Sequence, residues 1–213
     1  MRRGTAAAVF GCASVLLSYP DEGFTEDLAT VANALRRLPK SATRDRLTKT
    51  TVWLVHQDPL ALAAGYVETF DLRSRRNLHL TYFRHGDTRE RGMALTALVD
   101  AYRSVGLRVT SGELPDFLPA LLELAAVNSE GAAVLSDHRA ALEALRADLE
   151  LVKSPYAEVV RAVIDALGGL SHDDRRALAR YRAQGPPSEQ VGLEPFAPPQ
   201  VIAQGVTIGA TRR

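Results

Sequence analysis

Tyr66-Val67-Glu68-Thr69-Phe70-Asp71-Leu72-Arg73-Ser74-Arg75-Arg76-Asn77-Leu78-His79-Leu80-Thr81-Tyr82-Phe83-Arg84-His85-Gly86-Asp87-Thr88-Arg89-Glu90-Arg91-Gly92 is the stretch from which the rest of the chain is read. Its first residues carry apolar positions that fit the end of a helix. It then turns basic and polar. A helical pattern resumes from Met93 to Val105 and stops at Gly106, as a C-terminal glycine makes it stop. Glu113-Leu114-Pro115-Asp116-Phe117-Leu118-Pro119 leads into another apolar helix. Arginine runs are usually solvated faces. This one is long for a helix–helix connection, and long ordered loops tend to carry function. It also interleaves Leu78, Leu80, Tyr82 and Phe83 with its charges, which gives it apolar anchors to a body.

The composition around this block is that of an all-α protein. Alanine, leucine and arginine dominate, and period-two alternation is nearly absent. The 213 residues suit one domain with a tail. We expect a single-domain helical bundle over residues 1–184, with a long basic loop, and a proline-rich, extended or disordered tail over 185–213. With a formal charge of +1, there is no global electrostatic case for nucleic acid or an anionic membrane. The single cysteine, Cys12, excludes an internal disulfide framework and a cysteine zinc site, and it suits a reducing compartment.

Met1-Arg2-Arg3 before an apolar run imitates a signal peptide. Read as a helix, however, Ala6, Val9, Phe10, Ala13, Leu16 and Leu17 fall on one face. We therefore expect a buried first helix over about residues 5–18, ended before Pro20. No apolar run reaches membrane-spanning length. Asp21 is expected to cap a helix over residues 22–37. Residues 41–56 are ambiguous, because Thr50-Thr51-Val52-Trp53-Leu54-Val55 is β-branched enough for a strand. Without a partner strand, it is read as helix. Asp58-Pro59 reads as an N-cap followed by an N1 proline. Pro115 and Asp116 are expected to open the next helix, and one long helix is expected over residues 130–152. Helices over residues 156–167 and 173–184 follow.

Catalytic motifs are absent: there is no GxSxG, HExxH, GxxxxGK or GxGxxG. His79 and His85 lack the further ligands a metal site needs, so no metal and no catalytic residue is expected. His138 sits on an apolar helical face and reads as a packed histidine. Glu113, Asp116 and Glu123 gather at the start of one helix, where helix-dipole compensation is the plain explanation. A binding reading uses the same residues. A groove floored by leucines and rimmed by these carboxylates would hold an amphipathic basic peptide, with Tyr66, Phe70 and Tyr82 as anchors.

The block from Tyr66 to Gly92, the helix and Gly106-Leu107 after it, and Glu113 to Ala126 together resemble the NarJ family. That is the family of nitrate reductase molybdenum cofactor assembly chaperones, within the redox-enzyme maturation chaperones. Tyr66, Phe70 and Asp71 carry the resemblance, with Leu80, Tyr82, His85, Gly86, Arg89 and Gly92. Glu113, Leu114, Pro115, Asp116, Leu118, Pro119 and Glu123 complete it. The wider family has a proline-acid-histidine triplet where this chain reads Pro115-Asp116-Phe117, so a role needing that histidine is not carried over.

The resemblance implies an all-helical, cytoplasmic, non-enzymatic chaperone. Its partner would be the immature catalytic subunit of respiratory nitrate reductase, including its N-terminal segment. It would stably bind no cofactor itself, and its client would receive molybdenum guanine dinucleotide. Neither nucleic acid nor stable membrane insertion is implied, while self-association is plausible for the family. The expected client-peptide-binding residues are Tyr66, Phe70, Leu80, Tyr82, His85, Arg89, Glu113, Pro115, Asp116, Leu118, Pro119, Leu122 and Glu123. The alternatives are a chaperone of another molybdoenzyme, a helical adaptor working through residues 73–91, and a small hydrolase or cofactor-handling enzyme using Glu113, Asp116 and His85.

Overall fold

The computed structural model describes residues 3–109, 112–169, 171–185 and 187. The proline-rich tail expected over residues 185–213 lies outside these, apart from Gly185 and Pro187. The described chain is all-α. Its helices are α1 (Arg3–Leu17), α2 (Phe24–Arg37), α3 (Ala42–Val55), α4 (Pro59–Tyr66), α5 (Leu80–His85), α6 (Arg89–Ser104), α7 (Leu118–Val127), α8 (Ser129–Asp137), α9 (Arg139–Leu151), α10 (Tyr156–Leu167) and α11 (His172–Gln184). A π turn, Val67–Asp71, continues α4, and a 3-10 turn, Ser74–Arg76, follows it. Among the described residues there is no strand, only a single bridge between His79 and Phe117.

The apolar N-terminal run forms the axis of the bundle. Val9, Phe10, Cys12, Ala13, Ser14, Leu16 and Leu17 of α1 are all buried, and α1 packs on α2, α3, α7 and α10. A helix enclosed on so many sides must be apolar around most of its circumference, which is why its sequence imitates a leader. Burial pushes the Cys12 thiol up to about 11 and keeps it unreactive. No helix among the described residues is long and apolar enough to cross a membrane.

Local chemistry sets most of the boundaries. Ser41 accepts the Arg44 N–H to open α3, and Asp58 accepts that of Ala61 ahead of Pro59. The β-branched run is helical, and its threonines satisfy their hydroxyls by bonding back up the helix. Thr51 donates to the Leu47 carbonyl at 2.8 Å, and Thr50 reaches the Arg46 and Pro155 carbonyls.

Four expectations need correction. Asp21 is not the cap of α2: that position is Gly23, whose N–H Asp21 accepts at 3.0 Å. The helix expected over residues 130–152 is two helices, α8 and α9, which meet at His138. There the His138 ring bonds the Val134 carbonyl and the chain bends, so that α9 packs on both α10 and α11. The basic loop is not wholly loop, since Leu80–His85 forms α5. Its Leu80 and Thr81 turn inward and are buried. Finally, Pro115 and Asp116 do not open the next helix. It begins at Leu118, with Pro119 in its first turn.

Candidate functional site

The two halves of the sequence block, residues 66–92 and 113–123, come together. The Leu80 N–H donates to the Asp116 carbonyl at 3.1 Å, and the Leu118 N–H donates to the Leu78 carbonyl at 2.9 Å. This short ladder fixes α5 against the start of α7. The Asp116 side chain sits inside the join, with 0% of its surface exposed. One of its oxygens pairs with His79 Nδ1 at 2.9 Å. The other accepts the Thr81 N–H at 3.2 Å and the Thr81 hydroxyl, with the Arg91 guanidinium 3.6 Å away.

Burial acts to raise the pKa of this carboxyl. The bonds from His79 and Thr81 and the charges of His79 and Arg91 outweigh that and hold it below the usual carboxylate range. Arg91 is itself fixed: it donates to Thr81 Oγ1 at 3.3 Å, pairs with Asp87 at 3.4 Å, and lies 5.6 Å from the Tyr82 ring centre.

A carboxylate so enclosed is not on a rim, and the expected rim role of Asp116 is corrected. Its solvation is replaced by four neighbouring groups, so it organises the block from within. Tyr66 and Phe70 are also internal. Their ring centroids lie 4.8 Å apart, and Tyr156 stands 5.0 Å from Phe70. The Tyr66 hydroxyl donates to the Leu17 carbonyl at 2.9 Å and so closes the end of α1. Leu80, Leu118, Pro119 and Leu122 are buried. The Pro119 carbonyl accepts Ser14 Oγ at 2.9 Å. The outer members are Tyr82, His85 and Pro115, which are half-buried, and Arg89, Glu113 and Glu123, which are exposed. Glu123 lies at the edge of hydrogen-bond reach of Ser14, 3.5 Å.

A cleft of about 980 Å³ borders α5, the α8–α9 corner and α11, lined by Phe83, His85, Asp137, Arg139, Ala140 and Tyr181 among others. A second cleft, about 530 Å³, is lined by Arg75, Ala144, Arg146, Asp148 and Tyr181 among others. Sequence reading missed Arg139, Ala140, Ala144 and Tyr181, which come from helices distant in the chain. Arg139 is buried, and its guanidinium donates to the carbonyls of Ile164 and Gly169, each at 3.1 Å, and to that of Gly168. It thereby caps α10 and fixes the turn into α11. Among the described residues no group of three or more His, Cys, Asp or Glu could hold a metal ion.

Residues 20–162 match the sequence model of the family described as nitrate reductase delta subunit. The chain is 44% identical over 157 residues to the nitrate reductase-like protein NarX of Mycobacterium tuberculosis (strain H37Rv); the match covers 73% of this chain and 24% of that one. The chain thus spans about a quarter of that relative's length. A Bacillus subtilis (strain 168) protein assigned as the nitrate reductase molybdenum cofactor assembly chaperone NarJ is 35% identical over 160 residues, 74% of this chain and 87% of that one. A solved structure from Archaeoglobus fulgidus, assigned to redox enzyme maturation, superposes with a TM-score of 0.57 at 24% identity. It covers 76% of this chain and 94% of that one, and at this identity it speaks for the fold.

Proposed function

We infer a chaperone's role for this chain, which belongs to the nitrate reductase delta subunit family and has a relative assigned as the assembly chaperone NarJ. From that premise we propose that it binds the immature catalytic subunit of a respiratory nitrate reductase, through a segment that includes the client's N-terminus. It holds the subunit competent for insertion of its molybdenum guanine dinucleotide and for assembly at the membrane, and then leaves.

One observation carries this reading. The block that resembles the family is tied into the body by its buried members, with Asp116 bonded by His79 and Thr81 and paired with Arg91. One of its outer members, His85, lines a cleft that mixes apolar and charged walls. An amphipathic helix laid into a groove needs walls of that kind. An acid–base catalyst would need its carboxylate free to exchange a proton with a substrate, and Asp116 is not free. The inner members act by positioning. Tyr82, His85, Arg89, Pro115, Glu113 and Glu123 are the ones available to a client.

The test is deletion of the gene in its host. The reductase catalytic subunit is expected to accumulate without molybdenum cofactor. Full cofactor loading in the deletion strain would overturn the reading.

A further inference from the structure

We propose that α11 occupies, within the same chain, the seat that the client helix takes, and that the client enters by displacing it. This rests on the chaperone reading and names its site and the chemistry of its occupant.

α11 lies beyond the residues that match the family, 20–162. It is complete as a helix by itself: Ser171 and Asp174 form a capping box at its start, and Gly185 ends it. It touches the body through Leu178 and Tyr181, one turn apart. These join Ala140, Ala144 and Phe83 in a small cluster separate from the main core. The Phe83 and Tyr181 rings lie 4.0 Å apart. Among the described residues α11 makes no ion pair and no side-chain hydrogen bond to another helix. The two clefts, about 980 and 530 Å³, both reach Tyr181 and leave space beside it. A helix with open space beside its anchors forfeits much of the contact energy of a filled core, so it belongs to the least stable part of the fold.

The seat is tied to the family block. Pro187, past the end of α11, lies against Gly86, in the turn between α5 and α6. Gly86 has φ +55°, and any Cβ there would collide with the Pro187 backbone. His85, beside it, lines the larger cleft.

The chemistry of α11 therefore describes what the seat accepts: two apolar anchors at i and i+3 on a helix rich in arginine, Arg175, Arg176, Arg180 and Arg182. Arg182 lies within electrostatic reach of Asp148 on α9. A client segment of the same apolar, basic character competes with α11 for one place. The tethered copy has a high effective concentration, so it lowers the client's apparent affinity until it is displaced.

The probe is a fluorescent peptide of residues 171–185 added in trans to the full chain. With Leu178→Asp and Tyr181→Asp together, the chain's own α11 cannot dock. This variant is expected to bind the probe at least ten-fold more tightly than wild type. A peptide from the N-terminus of the reductase catalytic subunit is expected to compete for it. Equal binding to both chains, or none, overturns the proposal. Probe binding that the reductase peptide does not relieve, while that peptide still binds the chain, overturns the shared seat and leaves the chaperone reading standing. A reductase peptide that binds neither chain overturns both.

Hydrogen exchange on the wild-type chain keeps the result independent of how the variant folds. Saturating reductase peptide is expected to speed exchange in α11 and to protect α5 and α9. Unchanged exchange in α11 overturns the displacement.

Discussion

His79 and Asp116 stand 37 residues apart in the chain and meet at 2.9 Å inside it, with the carboxylate shut off from solvent. This pair, with Thr81 and Arg91, holds α5 to the start of α7. It behaves as a keystone, because each group's neighbours depend on the others for their hydrogen bonds.

Asp116→Ala removes the acceptor shared by His79, Thr81 and Arg91. Breaking a buried charged network by deleting one partner costs about 3–5 kcal/mol. Asp116→Asn keeps the shape, loses the charge and is expected to cost less. Urea midpoints of the two variants check the order, and a wild-type midpoint for Asp116→Ala would contradict it.

The same carboxyl makes the fold acid-sensitive. Its native pKa lies below the ordinary value, so in acid the unfolded chain binds more protons than the native one. Its contribution is present above the unfolded pKa, about 3.9, and is lost as pH falls through the native value. Thermal midpoints measured down to about pH 3 should fall in wild type and fall less steeply in Asp116→Asn.

Helix α8 approaches the end of α7 at Gly131, where a Cβ would run into the Leu124 and Ala125 backbone. Helix propensity favours alanine there by about 1 kcal/mol. The clash cannot be relieved by a rotamer, and overpacking costs about 1–3 kcal/mol. Gly131→Ala should therefore destabilise. Gly65→Ala in α4, where nothing lies within 4 Å, should be neutral or stabilising. Thermal melts of both separate propensity from space.

Arg139→Met leaves the carbonyls of Ile164, Gly168 and Gly169 without their common donor. An orphaned buried group costs about 1–3 kcal/mol. Lysine should recover only part of the loss, because a point charge does not replace the planar fork. Chemical denaturation of the pair tests this, and equal stability of Arg139→Lys and wild type would count against it.

Client binding should respond to the outer members of the block. His85→Ala and Arg89→Ala are expected to weaken the reductase peptide by about 1 kcal/mol each, without moving the melting temperature. Leu118→Glu should instead unfold the chain, because Leu118 is 0% exposed and a charge there has no partner. Calorimetry beside thermal melts distinguishes the two kinds of residue.

Local signals were legible before the fold was known. Asp58 caps α4 ahead of Pro59 as its spacing implies, Pro20 follows the end of α1, and α1 is the buried helix that its periodicity implies. Non-local signals were not. Nothing near Asp116 in sequence announces that His79 and Thr81 will bond its carboxylate, and its place before a helix suggests a capping role. His138 sits in an unbroken three-four apolar pattern, so the bend there was invisible. Periodicity records which face is buried and not whether the axis turns. Arg139 and Tyr181 gain their meaning from packing between α9, α10 and α11, which no spacing rule reports.

The ladder that joins residues 78–80 to 116–118 also changes how the intervening chain is carried. Everything from Thr81 to Pro115, including α6, leaves and returns through one clamped neck, and α6 packs mainly on α5. The entropy of closing such an excursion grows only with the logarithm of its length, so lengthening it costs a few tenths of a kcal/mol or so. Length is therefore cheap to change in the connection after α6, whereas α5 and α6, which carry Thr81 and Arg91 to Asp116 and Leu98 and Tyr102 into the core, are held in place.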